Sequence, residues 1–314
     1  HRIAPDAVTL VLRCNRHCAR PEPGQHVNLT VEIDGRRLTR CYSPTLAPDG
    51  TLSISVKTID GGRVSRHLCD AVRVGDVLEL GPAFGAMTWP AQASGSWLLL
   101  AAGSGITPLA SLVRALAAQG MPLSLDLVYW ARCEADLWFA DELRALAVRF
   151  PGFRPHLVTT REVAQTADVA HGRLDATLLR RLVGELEGRQ VYACGPTGFV
   201  ATARELLAPF AASFASESFS APALSDAEDG EVQVTLSRRG LTLSLPRGAT
   251  LLSALEAAGL RPASGCRMGI CHTCVCGKRS GVTHDIQTGE SASEPTSALR
   301  LCVSRAGSDL VLDL

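Results

Sequence analysis

The sequence predicts a multidomain chain: an antiparallel β-barrel over residues 1–93, an α/β domain with a parallel sheet over 94–214, a linker over 215–230 and a small α+β domain over 231–314. Three observations carry this. Residues 1 to about 90 hold short alternating apolar and polar runs separated by turn residues. From Trp97 onward, apolar strand-like runs alternate with helix-period segments. The last stretch joins a hairpin pattern and a short helix to a cluster of cysteines.

The length of 314 residues fits two or three domains at roughly 100–200 residues each. Thirty-one Lys+Arg balance 31 Asp+Glu, so no charge excess argues for nucleic acid. The longest apolar run, Trp97 to Ala102, falls far short of the roughly 20 residues needed to span a bilayer. No secretory signal is visible, so a cytoplasmic protein is expected, with a place beside a membrane-bound partner as the variant. His1 is not an initiator Met, and an upstream segment is expected.

In the first domain the strands are Val8–Leu12, Val27–Val31, Leu52–Val56 and Val77–Leu80, with a hairpin turn at Asp49-Gly50 and a short helix over Ser65–Asp70. In the second, strands Trp97–Ala102, Leu123–Trp130, His156–Thr159 and Gln190–Ala193 alternate with helices Pro108–Ala118, Leu137–Val148 and Thr197–Leu207. Residues 211–230 are small, polar and acidic, with four acids and no base, and read as a linker. In the third, Val232–Leu236 and Leu241–Leu245 form a hairpin around Arg239-Gly240, and Leu251–Gly259 is helical.

Eleven cysteines form an odd set, five of them at or after position 266. Clustering of this kind reads as metal ligands rather than a disulfide framework. Cys266, Cys271 and Cys274 are spaced C-x4-C-x2-C, with Cys302 far downstream. This is the plant-type [2Fe–2S] spacing, in which four thiolates supply two ligands to each iron. Gly269 permits close approach of the loop, whose amides can donate to sulfur. A structural zinc site is the alternative, although zinc loops usually pair two C-x2–4-C units. Cys276 reads as a packed free thiol.

Two more segments have the chemistry of phosphate and ring binding. Arg40-Cys41-Tyr42-Ser43 closes a strand, and Gly61-Gly62-Arg63-Val64-Ser65 opens a helix, where amides and a hydroxyl converge on an anion. Arg40 offers a phosphate clamp, Tyr42 a stacking ring and Ser43 a hydroxyl for a ring nitrogen. Gly103-Ser104-Gly105-Ile106-Thr107-Pro108 follows a strand and opens a helix, and Cys194-Gly195-Pro196 ends the last strand of the same domain. In a parallel sheet both lie at the carboxyl ends, where ligands bind. Arg132, Thr160 and Arg161 follow the second and third strands and are placed to meet a nucleotide 2′-phosphate.

Together these motifs resemble the ferredoxin–NADP reductase superfamily, and residues 231–314 resemble a plant-type ferredoxin, a β-grasp domain. The resemblance implies FAD in the barrel, with FMN the alternative, and NADPH favoured over NADH. It implies Ser43 and Cys194 at the reacting rings, Thr107 near the flavin, and Ser65 on the pyrophosphate. Arg40, Cys41, Tyr42, Val56, Lys57, Gly62 and Val64 would line the flavin site. Gly103, Gly105, Pro108, Gly195 and Pro196 would line the nucleotide site, with Arg132, Thr160 and Arg161 beside it. Hydride would pass from nicotinamide to flavin, and single electrons from flavin to cluster. Plant-type clusters lie near about −400 mV, low enough to drive an oxygenase.

The loop CRMGICHTC, Thr288-Gly289-Glu290 and the ending CVSRAGSDLVLDL resemble reductases of acyl-lipid desaturases or alkane hydroxylases; reductases of Rieske-type dioxygenases or demethylases, with FMN, are the alternative. The ferredoxin part carries nine bases and seven acids, whereas free plant ferredoxins are typically acidic. The eight histidines are scattered without a His-x-x-His pattern, so oxygen chemistry is assigned to a partner oxygenase, hydroxylase or desaturase. A flavin and iron–sulfur redox sensor without turnover, or a reductase whose cysteine loop is metal-free or zinc-loaded, are the competing readings.

Overall fold

The computed structural model describes residues 1–15, 18, 20–46, 51–91, 93–219 and 230–314. The chain divides into two compact units, residues 1–37 with 42–220 and residues 38–41 with 221–314. The hairpin turn expected at Asp49-Gly50 and residues 220–229 of the expected linker lie outside the described residues.

The amino-terminal domain is built from β1 (Arg2–Ala4), β2 (Ala7–Leu12), β3 (His26–Ile33), β4 (Arg36–Tyr42), β5 (Thr45–Leu46), β6 (Leu52–Lys57) and β7 (Glu79–Phe84). They form two antiparallel sheets, ordered β1-β2-β6-β5 and β4-β3-β7. Alternation does the work: Val27, Leu29 and Val31 of β3 are buried while the residues between them are not fully so. After β6 the chain turns at Gly61-Gly62 into a one-turn helix, α1 (Arg63–Arg66), which continues as a π-turn through Ala71.

The second domain has β8 (Ser96–Ala102), α2 (Ile106–Ala118), β9 (Ser124–Ala131), α3 (Ala140–Arg149), β10 (Phe153–Thr159), β11 (Val169–His171), α4 (Ala176–Val183), β12 (Gln190–Gly195), α5 (Thr197–Leu207) and β13 (Ser213–Ser218). All six strands are parallel, in the order β11-β10-β9-β8-β12-β13. The run in β8 is continuously apolar because both its faces are covered. Trp97, Leu99 and Ala101 pack into one core layer with α2, and Leu98 and Leu100 into the opposite layer with Val191 and Ala203. The chain moves outward from β8 in one direction and then returns to β12 on its other side. The switch point of the sheet therefore lies between β8 and β12, where ligands of such sheets bind.

One boundary needs correction. The linker expected from residue 215 takes in part of β13, which pairs with β12 from Gln190↔Ser213 to Gly195↔Ser218. Its small polar residues suit a half-buried edge strand, and its backbone is satisfied by β12.

The second unit contains β14 (Glu231–Leu236), β15 (Leu241–Pro246), α6 (Leu251–Ala257), β16 (Val275–Ser280), β17 (Thr283–Asp285), β18 (Ser291–Ala292), β19 (Thr296–Arg300), β20 (Ser304–Ala306) and β21 (Leu310–Leu312). A five-stranded mixed sheet, β15-β14-β21-β16-β19, packs its Val232, Val234, Leu236 and Leu312 against Leu251, Leu252 and Leu255 of α6. A second sheet, β18-β17-β20, is tied to it by the buried Lys278, whose Nζ donates to the carbonyls of Gly281 at 3.0 Å and Ala292 at 2.6 Å. Among the described residues no helix is long and apolar enough to cross a membrane.

Candidate functional site

The end of β4 delivers Tyr42 and Ser43. Ser43 is buried, and its Oγ lies 2.9 Å from His26 Nδ1 on β3. Arg40 Nη1 donates to the Thr39 carbonyl at 2.7 Å. At the end of β6, Val56 is buried, and Lys57 Nζ sits 3.2 Å from Asp6 and 3.5 Å from Asp136. Within α1, Ser65 Oγ reaches back to the preceding turn, donating to the Gly62 carbonyl at 3.2 Å and accepting from Ile59 N at 3.1 Å. The hydroxyl expected on a pyrophosphate thus braces its own turn, with Val64 buried beside it.

On the nucleotide side the loops after β8 and β12 interlock. A Cβ on Gly105 would stand 2.2 Å from the Cys194 carbonyl oxygen and 2.8 Å from Gly195 N, so only glycine lets the two loops meet. Thr107 and Cys194 are buried there, and Thr107 Oγ1 donates to the Ser104 carbonyl at 3.0 Å. Burial, and then the charge of Glu217, push the Cys194 thiol well up, so it stays neutral. We expect Gly105→Ala to overpack this contact at a cost of about 1–3 kcal/mol and to slow flavin bleaching by NADPH at least about tenfold. Anaerobic rapid mixing and a melting curve measure the two effects.

Arg132 was expected to be open to a nucleotide phosphate. Its Nε instead donates to Asp136 at 2.9 Å and its Nη2 to Asp6 at 3.3 Å. Sequence separation hid the Asp6 contact. Glu134, also near the end of β9, is occupied by Thr166 N at 2.9 Å and Thr166 Oγ1 at 2.8 Å. Thr160 Oγ1 donates to the Ala131 carbonyl at 3.2 Å, and Arg161 is exposed beside it.

In the second unit the loop 265–274 is wound tightly enough to put Arg267 and His272 at φ 61° and 55°, in the left-handed region that non-glycine residues seldom adopt. Gly269, at φ 75°, holds a backbone conformation that L side chains rarely adopt, and a Cβ there would press on Val303 at 3.0 Å. The winding turns amides onto sulfur: Cys266 N reaches Cys271 Sγ at 3.2 Å, Met268 N reaches Cys266 Sγ at 3.3 Å, and Gly269 N reaches Cys302 Sγ at 3.2 Å. The sulfurs fall into two hydrogen-bonded groups, Cys41 with Cys266 and Cys271, and Cys274 with Cys302. The bond from Cys266 holds Cys271 far below the ordinary thiol range, and the bond from Cys302 brings Cys274 down to about 7.

Four closely set cysteine sulfurs within a shell of amide donors fit a [2Fe–2S] cluster, two ligands to each iron. Cys41, in the segment 38–41 that groups with this unit, has its sulfur within 4.8 Å of those of Cys266 and Cys271. Burial pushes Cys276 up to about 12, as suits a packed thiol. The loop is also braced by residues that no motif announced. Gln287 Nε2 donates to the Met268 carbonyl at 2.9 Å, and Arg300 joins the Gly269 carbonyl at 2.9 Å to Asp285 at 2.8 Å.

Comparison with known proteins gives the same three parts. Residues 1–89 match the oxidoreductase FAD-binding domain family, 99–205 the oxidoreductase NAD-binding domain family, and 234–307 the 2Fe-2S iron-sulfur cluster binding domain family. An NADPH oxidoreductase of Mycobacterium tuberculosis is 34% identical over 300 residues, covering 93% of this chain and 76% of that protein. The ferredoxin reductase component of 3-ketosteroid-9-alpha-monooxygenase from the same organism is 32% identical over 310 residues, covering 92% of this chain and 84% of that protein. Among solved structures, phthalate dioxygenase reductase, described as a modular structure for electron transfer from pyridine nucleotides to [2Fe-2S], aligns with a TM-score of 0.64 at 27% identity, over 100% of this chain and 95% of that one. With these relatives, and with FAD-binding, NAD(P)-binding and [2Fe–2S]-binding domains in that order, the chain belongs to the ferredoxin–NADP reductase superfamily, in the branch of electron-transfer oxidoreductases that carry a C-terminal plant-type ferredoxin domain.

Proposed function

We propose that this chain is the NADPH-preferring reductase component of a multicomponent oxygenase, hydroxylase or desaturase, and that it delivers single electrons to that partner. The observation that carries the reading is the loop of cysteine sulfurs and amide donors in a chain that also holds flavin and nucleotide domains. When bound, FAD exchanges hydride with a nicotinamide and single electrons with a [2Fe–2S] cluster.

The chain's own residues do the placing. Ser43 presents a hydroxyl to the flavin, with Arg40, Tyr42, Val56, Lys57, Gly62, Val64 and Ser65 around it. Cys194, a neutral buried thiol, would pack against the nicotinamide ring when the nucleotide is bound. Gly103, Gly105, Thr107, Pro108, Gly195 and Pro196 shape the floor of the crevice. Cys266, Cys271, Cys274 and Cys302 would hold the cluster. A 2′-phosphate would meet the exposed Arg161 beside Thr160, because Arg132 is already engaged by Asp6 and Asp136. The relatives that are reductases of oxygenase systems support the choice of partner.

The test is an anaerobic titration with NADPH and, separately, NADH, followed by absorbance and low-temperature EPR. Flavin bleaching together with a rhombic S = 1/2 signal is expected. Arg161→Ala should raise KM for NADPH about 10–100-fold through loss of a charge-assisted hydrogen bond and leave KM for NADH unchanged. A flavin that bleaches without any cluster signal overturns the reading.

A further inference from the structure

The electron-transfer reading makes no use of Cys14 or Cys18. They follow β2 directly, in the stretch Arg13-Cys14-Asn15-Arg16-His17-Cys18-Ala19-Arg20. The spacing is C-x3-C, and four of these eight residues are basic. The backbone brings the two thiols together. Cys18 N donates to the Asn15 carbonyl at 3.1 Å, which turns the chain back after Cys14. Cys18 Sγ then donates its hydrogen to Cys14 Sγ at 3.0 Å. That separation is within about 1 Å of a bonded sulfur pair, which stands at about 2.05 Å.

The two sulfurs are not equivalent. All eleven cysteines are among the described residues, and Cys14 alone of them is exposed; Cys18 is half-buried. Burial, and then the bond to Cys14, push the Cys18 thiol up to about 11, so Cys18 keeps its proton at neutral pH. Cys14 accepts the hydrogen bond and adjoins the exposed Arg13. An accessible sulfur that accepts a hydrogen bond beside basic residues is the setting in which cysteine reacts. Cys14 is therefore the attacking sulfur, and Cys18 stands behind it with a second thiol. Elsewhere in the first unit the thiols are engaged differently: Cys69 donates to the Val56 carbonyl at 3.6 Å, and Cys194 is fully buried. Metal binding is the other use of such a pair. Among the described residues no His, Cys, Asp or Glu completes a group of three ligand atoms with these two sulfurs, whereas zinc takes four.

We propose that Cys14 and Cys18 form a peroxide-oxidisable dithiol, a reversible modification site on the amino-terminal domain. One hydrogen peroxide balances the reaction. The Cys14 sulfur attacks a peroxide oxygen, so an S–O bond forms and the O–O bond breaks. The Cys14 proton leaves with the departing hydroxide as water, and Cys14 becomes a sulfenic acid. The Cys18 sulfur then attacks the Cys14 sulfur, so the S–S bond forms and the S–O bond breaks. The Cys18 proton leaves with that hydroxide as a second water. The two sulfurs give up two electrons, and the peroxide is reduced to two waters. An exposed disulfide belongs to the labile class, and a dithiol reductant reopens it by exchange through a mixed disulfide.

The experiment uses the FAD- and cluster-loaded full chain, first reduced and then exposed to a stepped series of hydrogen peroxide doses up to a small molar excess. Catalase ends each reaction, remaining thiols are alkylated with N-ethylmaleimide in denaturant, and trypsin cuts after Arg13 and Arg16. Because Arg16 lies between the two cysteines, their disulfide joins two otherwise separate peptides. The joined pair is expected, two hydrogens lighter than the sum of its reduced peptides, and dithiothreitol should abolish it. Cys18→Ser should lose the link and leave a Cys14 sulfenic acid that dimedone labels. Cys14→Ser should lose the link and leave Cys18 alkylated. Both variants should bleach their flavin with NADPH at the wild-type rate, because the flavin and nucleotide assignments use neither residue.

The proposal is overturned if both wild-type cysteines stay fully alkylated across the series. It is overturned equally if Cys14 runs on to sulfinic acid while Cys18 is alkylated, or if Cys14 links to another cysteine or to a second chain on a non-reducing gel. The wild-type peptides decide by themselves, so a variant that fails to fold leaves the test intact.

Discussion

Cys302→Ser is expected to abolish the rhombic S = 1/2 signal and to cut electron output through the cluster by on the order of a hundredfold or more, while anaerobic bleaching of the flavin by NADPH continues. The argument starts from position. Cys302 is 4% exposed, lies between the buried Leu301 and Val303, and accepts from Gly269 N at 3.2 Å. Its thiol also holds Cys274 near 7, poised as a thiolate. A serine there offers a harder, more basic oxygen to the metal and removes the sulfur from that pair. Loss of outer partners alone costs metal sites about 10–100-fold, and loss of a ligand costs more. Because cluster binding is also folding free energy for its loop, the second unit should melt earlier as well. Iron and sulfide analysis with EPR checks the first effect, and thermal melting checks the second. Cys41→Ser and Cys276→Ser are the discriminating controls. Cys41 shares a 4.8 Å sulfur cluster with Cys266 and Cys271, so retention of iron in Cys41→Ser assigns the fourth ligand to Cys302, and its loss there would move the assignment to Cys41.

The cluster spacing was legible because ligand chemistry constrains it locally: the loop must wrap two irons with four sulfurs, and few patterns do so. The same holds for the interlocked glycine loops, since a Cβ cannot fit at Gly105. Contacts built from remote, ordinary residues were not legible. Arg300, Gln287 and Asp285 brace the cluster loop, yet each has the composition of a surface strand or turn. That Asp6 joins Asp136 in holding Lys57 and Arg132 could not be read from anything near them in sequence. The segment around Glu217 looked like linker because an edge strand needs little apolar content once its backbone is paired. Its Glu217 carries a carboxylate 2.9 Å from the buried His26, a pairing between residues far apart in sequence that no local pattern announces.

Asp126→Asn is expected to destabilise the first unit by about 3–5 kcal/mol, the range for breaking a buried ion pair, and to lower its melting temperature by on the order of 10 °C. Asp126 sits near the start of β9, fully buried, and accepts from Arg189 Nη1 at 2.6 Å, from Arg154 Nη2 at 2.7 Å and Nε at 2.9 Å, and lies 3.0 Å from His156 Nε2. Burial alone would raise its pKa, but the bonds from His156, Arg154 and Arg189 outweigh burial and hold the carboxyl well below its usual range. An asparagine keeps the shape and removes the charge, which leaves the buried Arg189 guanidinium without its counter-ion.

The sign of the pH dependence follows from the depressed pKa. The stabilisation is complete above the unfolded pKa of about 3.9 and is lost as pH falls through the lower folded value. The stability gap between wild type and Asp126→Asn should therefore stay constant from pH 8 to 5 and narrow below about pH 4. Differential scanning calorimetry across that range measures it, and a gap that widens on acidification would refute the assignment. Asp126 lies at the amino-terminal end of its strand, opposite the carboxyl ends where the nucleotide loops meet. At a temperature where both proteins are folded, the variant should bleach its flavin with NADPH at the wild-type rate, which separates a stabilising network from the electron-transfer site.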